Sequence, residues 1–198
     1  MKRDQRTITV IDIHDAPQRG VFYVTGGGSL FVSDLLTVPG ASNTVLAAQV
    51  PYASEALDEM VGGSDVHACS DATARRMAVR AYLRASTLLT TSRKDDVEIF
   101  GFAITASLAS LTKKRGAHRA HIAMQTRTTT RTWCFELRKG ARTRGSEERD
   151  VADTAVNLLA HSLGLRSNAL EVSTQDTCLL YTSPSPRDLS TSRMPSSA

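Results

Sequence analysis

Short runs of consecutive apolar residues alternate along the chain with longer segments whose apolar residues recur at helical spacing. Three runs, residues 21–24, 44–50 and 97–104, have the continuous apolar character of strands that are buried on both faces of a sheet. Helical spacing, together with glycine and proline at the expected ends, predicts helices over residues 30–37, 53–60, 71–89 and 146–163. Strands that alternate with helices in this way indicate an α/β fold.

The pattern changes to strict alternation over residues 120–124 and 133–137, which predicts an antiparallel hairpin with its turn at residues 126–130. In this hairpin His121 is expected on the outer face of its strand. Residues 105–110 are small and are expected to form a turn. Residues 7–14 are β-branched enough for a strand, yet their apolar spacing also suits a short helix, and we expect the helix. The prediction is a layered α/β/α domain with a mixed, partly parallel sheet.

A glycine turn, residues 25–29 (TGGGS), joins the first predicted strand to the first long helix. Backbone N–H groups without side-chain obstruction at a helix N-terminus favour an anion, so Gly26, Gly27, Gly28 and Ser29 are expected to bind a phosphate or an oxyanion. Thr25 adds a hydroxyl at the lip of the turn, and Tyr52 adds a phenol from the end of the next strand. The alternative is a tight connection between strand and helix with no ligand.

The last 21 residues, 178–198, differ from the rest and resemble the translated sequence of a sequencing adaptor (CLLYTSPSPRD followed by SRMPSSA). Composition alone would suggest a disordered tail rich in proline and serine. The expected organisation is an N-terminal segment at residues 1–20, a domain at residues 21–165 and the start of a linker at residues 166–177. Under this interpretation, natural sequence beyond residue 177 is missing.

Charge and composition exclude several function classes. The formal net charge of +4 is too small to indicate a nucleic acid partner, and no apolar run is long enough to cross a membrane. The first residues lack the apolar core of a signal peptide, so a cytoplasmic location is expected. Cys69 and Cys134 lie far apart with no metal-ligand spacing around them, which predicts reduced thiols, no metal site and no cofactor.

The glycine turn, the segment LLTVPGAS, Tyr52 and residues 70–84 together resemble the C-terminal domain of the competence/damage-inducible protein CinA. That family is known as nicotinamide-nucleotide amidases, which hydrolyse the carboxamide of nicotinamide mononucleotide to nicotinate mononucleotide and ammonia. The resemblance implies catalytic roles for Thr25, Tyr52 and Thr105. Thr25 stands in the place of the family's nucleophilic serine, and Leu57 stands in the place of its lysine.

The family's third motif is a glycine-rich loop, and here Thr105 is retained while the glycines are absent. A basic loop follows, in which Lys114, Arg115, His118 and Arg119 are expected to pair with a ligand phosphate. Its alternative is a solvated loop, as is also expected for Arg142 and Arg144. These departures resemble a diverged branch of the family that precedes a nucleotidyltransferase-like domain.

Two functions of the glycine turn therefore remain open, and a third possibility is a structural interface in which residues 38–46 (VPGASNTVL) mediate self-association. One is a nicotinamide-nucleotide amidase, in which Thr25 attacks the carboxamide and the glycine turn holds the oxyanion. The other is a catalytically degenerate module that binds a pyridine nucleotide or has a regulatory role. In both cases the expected partner is a small-molecule nucleotide, and the resemblance implies a homo-oligomer.

Overall fold

The computed structural model describes residues 3–63, 67–90, 97–111, 116–165 and 178–183. The predicted Lys114 and Arg115 lie outside these residues. The described elements, in chain order, are α1 (Arg3–Asp15), β1 (Arg19–Thr25), α2 (Ser29–Thr37), α3 (Ala41–Thr44), β2 (Val45–Gln49), α4 (Ser54–Val61), α5 (Asp71–Thr90), β3 (Ile99–Ser107), β4 (His118–Gln125), β5 (Thr130–Leu137), α6 (Arg144–Ser162) and β6 (Cys178–Ser183).

The strands form one sheet in the order β2-β1-β3-β4-β5-β6. Strand β1 pairs in parallel with both β2 and β3, whereas β3, β4, β5 and β6 pair antiparallel with their neighbours. This mixed sheet confirms the predicted α/β class. The helix over residues 7–14 is also confirmed, since α1 spans that segment.

The two faces of the sheet are covered by different helices and filled by different side chains. On the face covered by α1, α2 and α6, the rings of Phe22, Phe31 and Phe102 pack within 5.2 to 6.2 Å of one another, centroid to centroid. On the other face α5 presents an alanine stripe that includes Ala78 and Ala81. Small side chains let a helix pack close to a sheet, so α5 lies against its face of the sheet with little side-chain volume between them.

Gly101 of β3 lies directly against the backbone of α5. A Cβ atom added there would lie 2.1 Å from the backbone oxygen of Ala78 and 2.3 Å from the backbone nitrogen of Tyr82. Because both contacts are with helix backbone, no side-chain rotation could relieve them. The whole helix would have to move.

Two local predictions were wrong. Residues 105–107 are not part of a turn: β3 continues to Ser107, where it still pairs with Arg119 of β4, because the antiparallel partner satisfies the backbone groups of these small residues. His121 is not on an exposed face, since α5 also packs against β4 and leaves that side chain 9% exposed. The hairpin is therefore covered on both faces.

Strand β6 falls within the segment that resembles translated adaptor sequence. It pairs along the outer edge of β5, from Thr130↔Ser183 to Phe135↔Cys178. Pairing along an open edge uses backbone groups that nearly any sequence provides, so the origin of the segment remains a prediction. Among the described helices, none is long and apolar enough to cross a membrane.

We predict that Gly101→Ala lowers the free energy of unfolding by about 1–3 kcal/mol, because the added methyl group overpacks the contact between β3 and α5. Urea unfolding followed by circular dichroism measures this loss. Gly116→Ala is the matched control, since a Cβ atom at Gly116 has no neighbour within 4 Å. Equal stability of the two variants would contradict the close contact.

Candidate functional site

The carboxyl ends of the parallel strands β1, β2 and β3 meet at one edge of the sheet. Thr25, the last residue of β1, is the direct partner of Thr105, which lies two residues before the end of β3, and Pro51 follows the end of β2. Ligands of open α/β sheets bind at this kind of edge, because the loops after parallel strands converge there. The structure thus brings the glycine turn and Tyr52 together at one edge of the sheet.

A cavity of about 300 Å³ opens at this edge. Five of the predicted site residues line it: Thr25, Gly26, Gly27, Ser29 and Tyr52. Three residues of α6 that were not predicted complete its wall, namely Arg144, Gly145 and Glu148. The volume is at the lower end of the range for small-molecule sites. Arg144 is exposed, as expected, but it begins α6 rather than lying in a loop, and it lines the cavity.

The glycine turn has a shape that only glycine permits at two positions. Gly26 and Gly28 have φ angles of 73° and 94°, in the left-handed region. At Gly26, a Cβ atom would also lie 2.0 Å from the backbone oxygen of Ala106. The turn is consequently held tightly against the end of β3, and its amide groups have fixed directions.

Glu148 fills the place that the sequence analysis assigned to a ligand anion. Its Oε2 atom accepts a hydrogen bond from the backbone nitrogen of Gly28 at 2.9 Å. Its Oε1 atom accepts from the Ser29 hydroxyl at 2.8 Å and from the backbone nitrogen of Leu30 at 3.2 Å. Helix α2 begins without a side-chain cap of its own, so the carboxylate of α6 supplies the missing acceptor.

These hydrogen bonds decide the charge of the carboxylate. Burial by itself would raise the pKa of Glu148, but the hydrogen bonds from Gly28, Ser29 and Leu30 outweigh burial and hold the pKa below its usual value. The Ser29 hydroxyl thus faces an anion that is a weak base. A Ser29–Glu148 pair of this kind stabilises a helix end better than it activates a nucleophile.

Thr25 is buried at 5% exposure, and its hydroxyl donates to the backbone oxygen of Pro51 at 2.7 Å. Thr105 is similarly engaged: it donates to the backbone oxygen of Ala68 at 2.5 Å and does not line the cavity. Leu57, in the place of the family lysine, is 4% exposed in the apolar layer between α4 and α5. Both threonine hydroxyls therefore donate to carbonyl oxygens, and Leu57 provides no base beside them.

Arg144 holds two loops and a tyrosine together at the rim. Its guanidinium donates to the backbone oxygens of Ala109 and Gly26, each at 3.0 Å, and to the Tyr52 hydroxyl at 3.4 Å. All three acceptors are uncharged. Within the described residues Arg144 forms no ion pair with a carboxylate, although Glu148 lines the same cavity.

Of the residues predicted in the basic loop, His118 and Arg119 are the ones that the structure describes, and they begin β4. His118 is 6% exposed, and its Nδ1 atom lies 2.7 Å from Oε1 of the fully buried Glu147. Glu147 also accepts from the backbone nitrogen of Ala109 at 2.7 Å. Arg119 lies on the opposite face of β4, next to Cys69. Neither His118 nor Arg119 lines the cavity.

Sequence reasoning missed Arg144 and Glu148 for an identifiable reason. Acidic residues in the first turns of a helix are common because they compensate the helix dipole, so Glu147 and Glu148 look like ordinary helix-starting residues. Nothing in the sequence distinguishes Glu147, which supports the loop at Ala109, from Glu148, which lines the cavity. Only the position of α6 across α2 separates them.

No protein-family model and no curated protein sequence matches the chain. Its structure resembles solved structures of competence/damage-inducible proteins. The chain has the fold of the CinA superfamily. The protein CihA from Agrobacterium tumefaciens superposes with a TM-score of 0.61 at 21% identity, covering 81% of this chain and 94% of that one. A CinA superfamily protein from Klebsiella pneumoniae gives 0.64 at 14% identity, covering 81% and 96%.

A third solved structure, the CinA superfamily protein from Escherichia coli, superposes with a TM-score of 0.58 at 15% identity and covers 82% of this chain. The superpositions establish the fold, and identities this low leave the activity open. Within the described residues, moreover, no group of three or more histidine, cysteine, aspartate or glutamate side chains is arranged to hold a metal ion.

We predict that Glu147→Ala lowers the free energy of unfolding by about 3 kcal/mol, because it leaves the buried His118 imidazole and the Ala109 amide without their acceptor. Urea unfolding measures the loss. Glu136→Ala, at an exposed position of β5, is the matched control. If Glu147→Ala matched that control within about 0.5 kcal/mol, the role of Glu147 as a buried support would be refuted.

Proposed function

We propose that this domain binds a small anionic nucleotide of the pyridine type in the cavity between the glycine turn and α6, and that it does not hydrolyse it. The observation that carries the proposal is the combination of two groups at the cavity: the Arg144 guanidinium, which forms no ion pair among the described residues, and the Thr25 hydroxyl, which is already committed to a backbone acceptor. Such a site has the charge to hold an anion. It lacks a strong base that would activate a nucleophile.

Binding is supported by the geometry of Arg144. A planar guanidinium presents several N–H groups in a fixed fork, which suits phosphate and carboxylate oxygens. Its contacts to Gly26 and Ala109 orient the group without neutralising it. Tyr52, 67% exposed at the same rim, offers a ring face against which a heterocycle can stack.

Loss of turnover is supported by Thr25. A threonine hydroxyl attacks a carboxamide only when a base within hydrogen-bond reach takes its proton. Here that proton is directed to the Pro51 oxygen, a backbone carbonyl that cannot accept it as a base. Leu57 stands where the resemblance would require the activating amine. These two features have a combined effect on the rate, because a nucleophile without a base gains little from the other groups of the site.

The pyridine nucleotide is the ligand class that the CinA resemblance implies, and the CinA-type fold supports it. The amidase is the competing function. It would require Thr25 to turn away from Pro51, or Ser29 to use Glu148 as its base. The two routes differ in the residue whose substitution would abolish hydrolysis, Thr25 or Ser29.

Isothermal titration calorimetry with nicotinamide mononucleotide tests binding. We expect Arg144→Ala to weaken binding at least tenfold, because it removes the cation beside the cavity. Arg138→Ala is the matched control, since Arg138 is exposed and does not line this cavity. The proposal would be abandoned if the unaltered protein showed no heat of binding, or if the two variants bound equally.

Ammonia release from nicotinamide mononucleotide tests turnover. We expect no release above that of a heat-denatured sample, even at protein concentrations that saturate the ligand. Release that Thr25→Ala abolishes would establish the amidase through Thr25. Release that survives Thr25→Ala and is lost in Ser29→Ala would instead assign the nucleophile to Ser29.

A further inference from the structure

Two opposite charges, Arg144 and Glu148, project from the first two turns of α6 into the same cavity. We propose that Glu148 determines the orientation of the ligand: it keeps the anionic group away from the amides of the glycine turn and leaves Arg144 as the anion receptor. This inference rests on the proposed function, since it concerns how the same cavity selects its ligand.

The first support is that Glu148 uses the donors a phosphate would need. The backbone nitrogens of Gly28 and Leu30 and the hydroxyl of Ser29 all donate to this carboxylate. A phosphate at a helix N-terminus is held by such amides together with the positive end of the helix dipole. In this chain the internal carboxylate is already bound there, and its charge repels a second anion.

The second support is that the carboxylate is held in place by packing. Glu148 lies three residues before Val151, which is fully buried and would lie 3.2 Å from a Cβ atom at Gly28. Thr143 caps the start of α6 by accepting from the backbone nitrogen of Ser146 at 3.3 Å. The helix therefore presents Glu148 to the turn in a fixed position.

The third support is the polarity of the turn itself. Its carbonyl end, at Gly26, accepts from Arg144, while its amide end, at Gly28, donates to Glu148. The carbonyl end of the turn thus contacts a positive side chain of α6, and the amide end contacts a negative one. A ligand that spans the cavity must bring its anion to the Arg144 end and a hydrogen-bond donor, such as a hydroxyl or a carboxamide NH₂, to the Glu148 end.

The test uses inorganic phosphate as the probe and the full chain as the protein. Glu148→Ala removes the internal anion, and we expect phosphate affinity to rise at least tenfold as measured by calorimetry at neutral pH. Glu148→Gln keeps the shape of the side chain but removes its charge, and we expect a gain of at least threefold. Glu136→Gln, at an exposed site, is the matched charge control and should leave the affinity unchanged.

The location of the bound phosphate is read from amide signals in ¹H–¹⁵N spectra. In Glu148→Ala, phosphate should shift the Gly28 and Leu30 amides, and this response should persist in the double variant with Arg144→Ala. In the unaltered protein, any phosphate response should instead be lost with Arg144→Ala. Phosphate that shifts the Gly28 and Leu30 amides of the unaltered protein would overturn the inference.

The variants remain informative if one of them is unstable. Should Glu148→Ala fail to fold, Glu148→Gln carries the test, and a phosphate affinity within twofold of Glu136→Gln would overturn the inference. Failure of the proposed function gives a different result, because it appears as absent binding of nicotinamide mononucleotide to the unaltered protein. A gain of phosphate binding in Glu148→Ala would then still support the role of Glu148.

Discussion

The hydrogen bonds between the Glu148 carboxylate and the start of α2 are the interaction on which the site depends. They join α6 to the glycine turn over 120 positions of sequence between Gly28 and Glu148, and they satisfy amide groups that the turn's own side chains cannot reach. Because the acceptor is charged, these bonds are stronger than those between neutral groups. The same contact forms part of the cavity wall and holds a negative charge there.

The rest of the site follows from the position of α6. The neighbouring carboxylate, Glu147, is fully buried and supports the loop at Ala109 and the imidazole of His118, so the helix start is tied to β4 as well as to α2. Its first residue, Arg144, reaches the rim and bonds to Gly26 and Tyr52. One helix end thus supplies structural support through Glu147, an internal anion through Glu148 and an available cation through Arg144.

The contrast between the CinA-type fold and the chemistry of the cavity bears on function. The fold places hydroxyl groups at the ends of parallel strands, where loops converge and ligands bind. The environment of each hydroxyl then decides its role, because the same group is a nucleophile beside a base and a structural donor beside a carbonyl. In this chain Thr25 and Thr105 both donate to carbonyl oxygens. The fold alone therefore does not decide what these hydroxyl groups do.

The sequence by itself determined the order and type of the main elements, the location of the glycine turn and its nearness to Tyr52. Those features follow from local rules: continuous apolar runs for buried strands, helical spacing for one buried face, and glycine where φ is positive. Only the tertiary structure decided which groups the side chains of Arg144, Glu147 and Glu148 contact. It also decided that His118 and His121 are buried. The physical reason is that charge and burial depend on which distant element packs alongside, and one turn of α6 places neighbouring residues in entirely different surroundings.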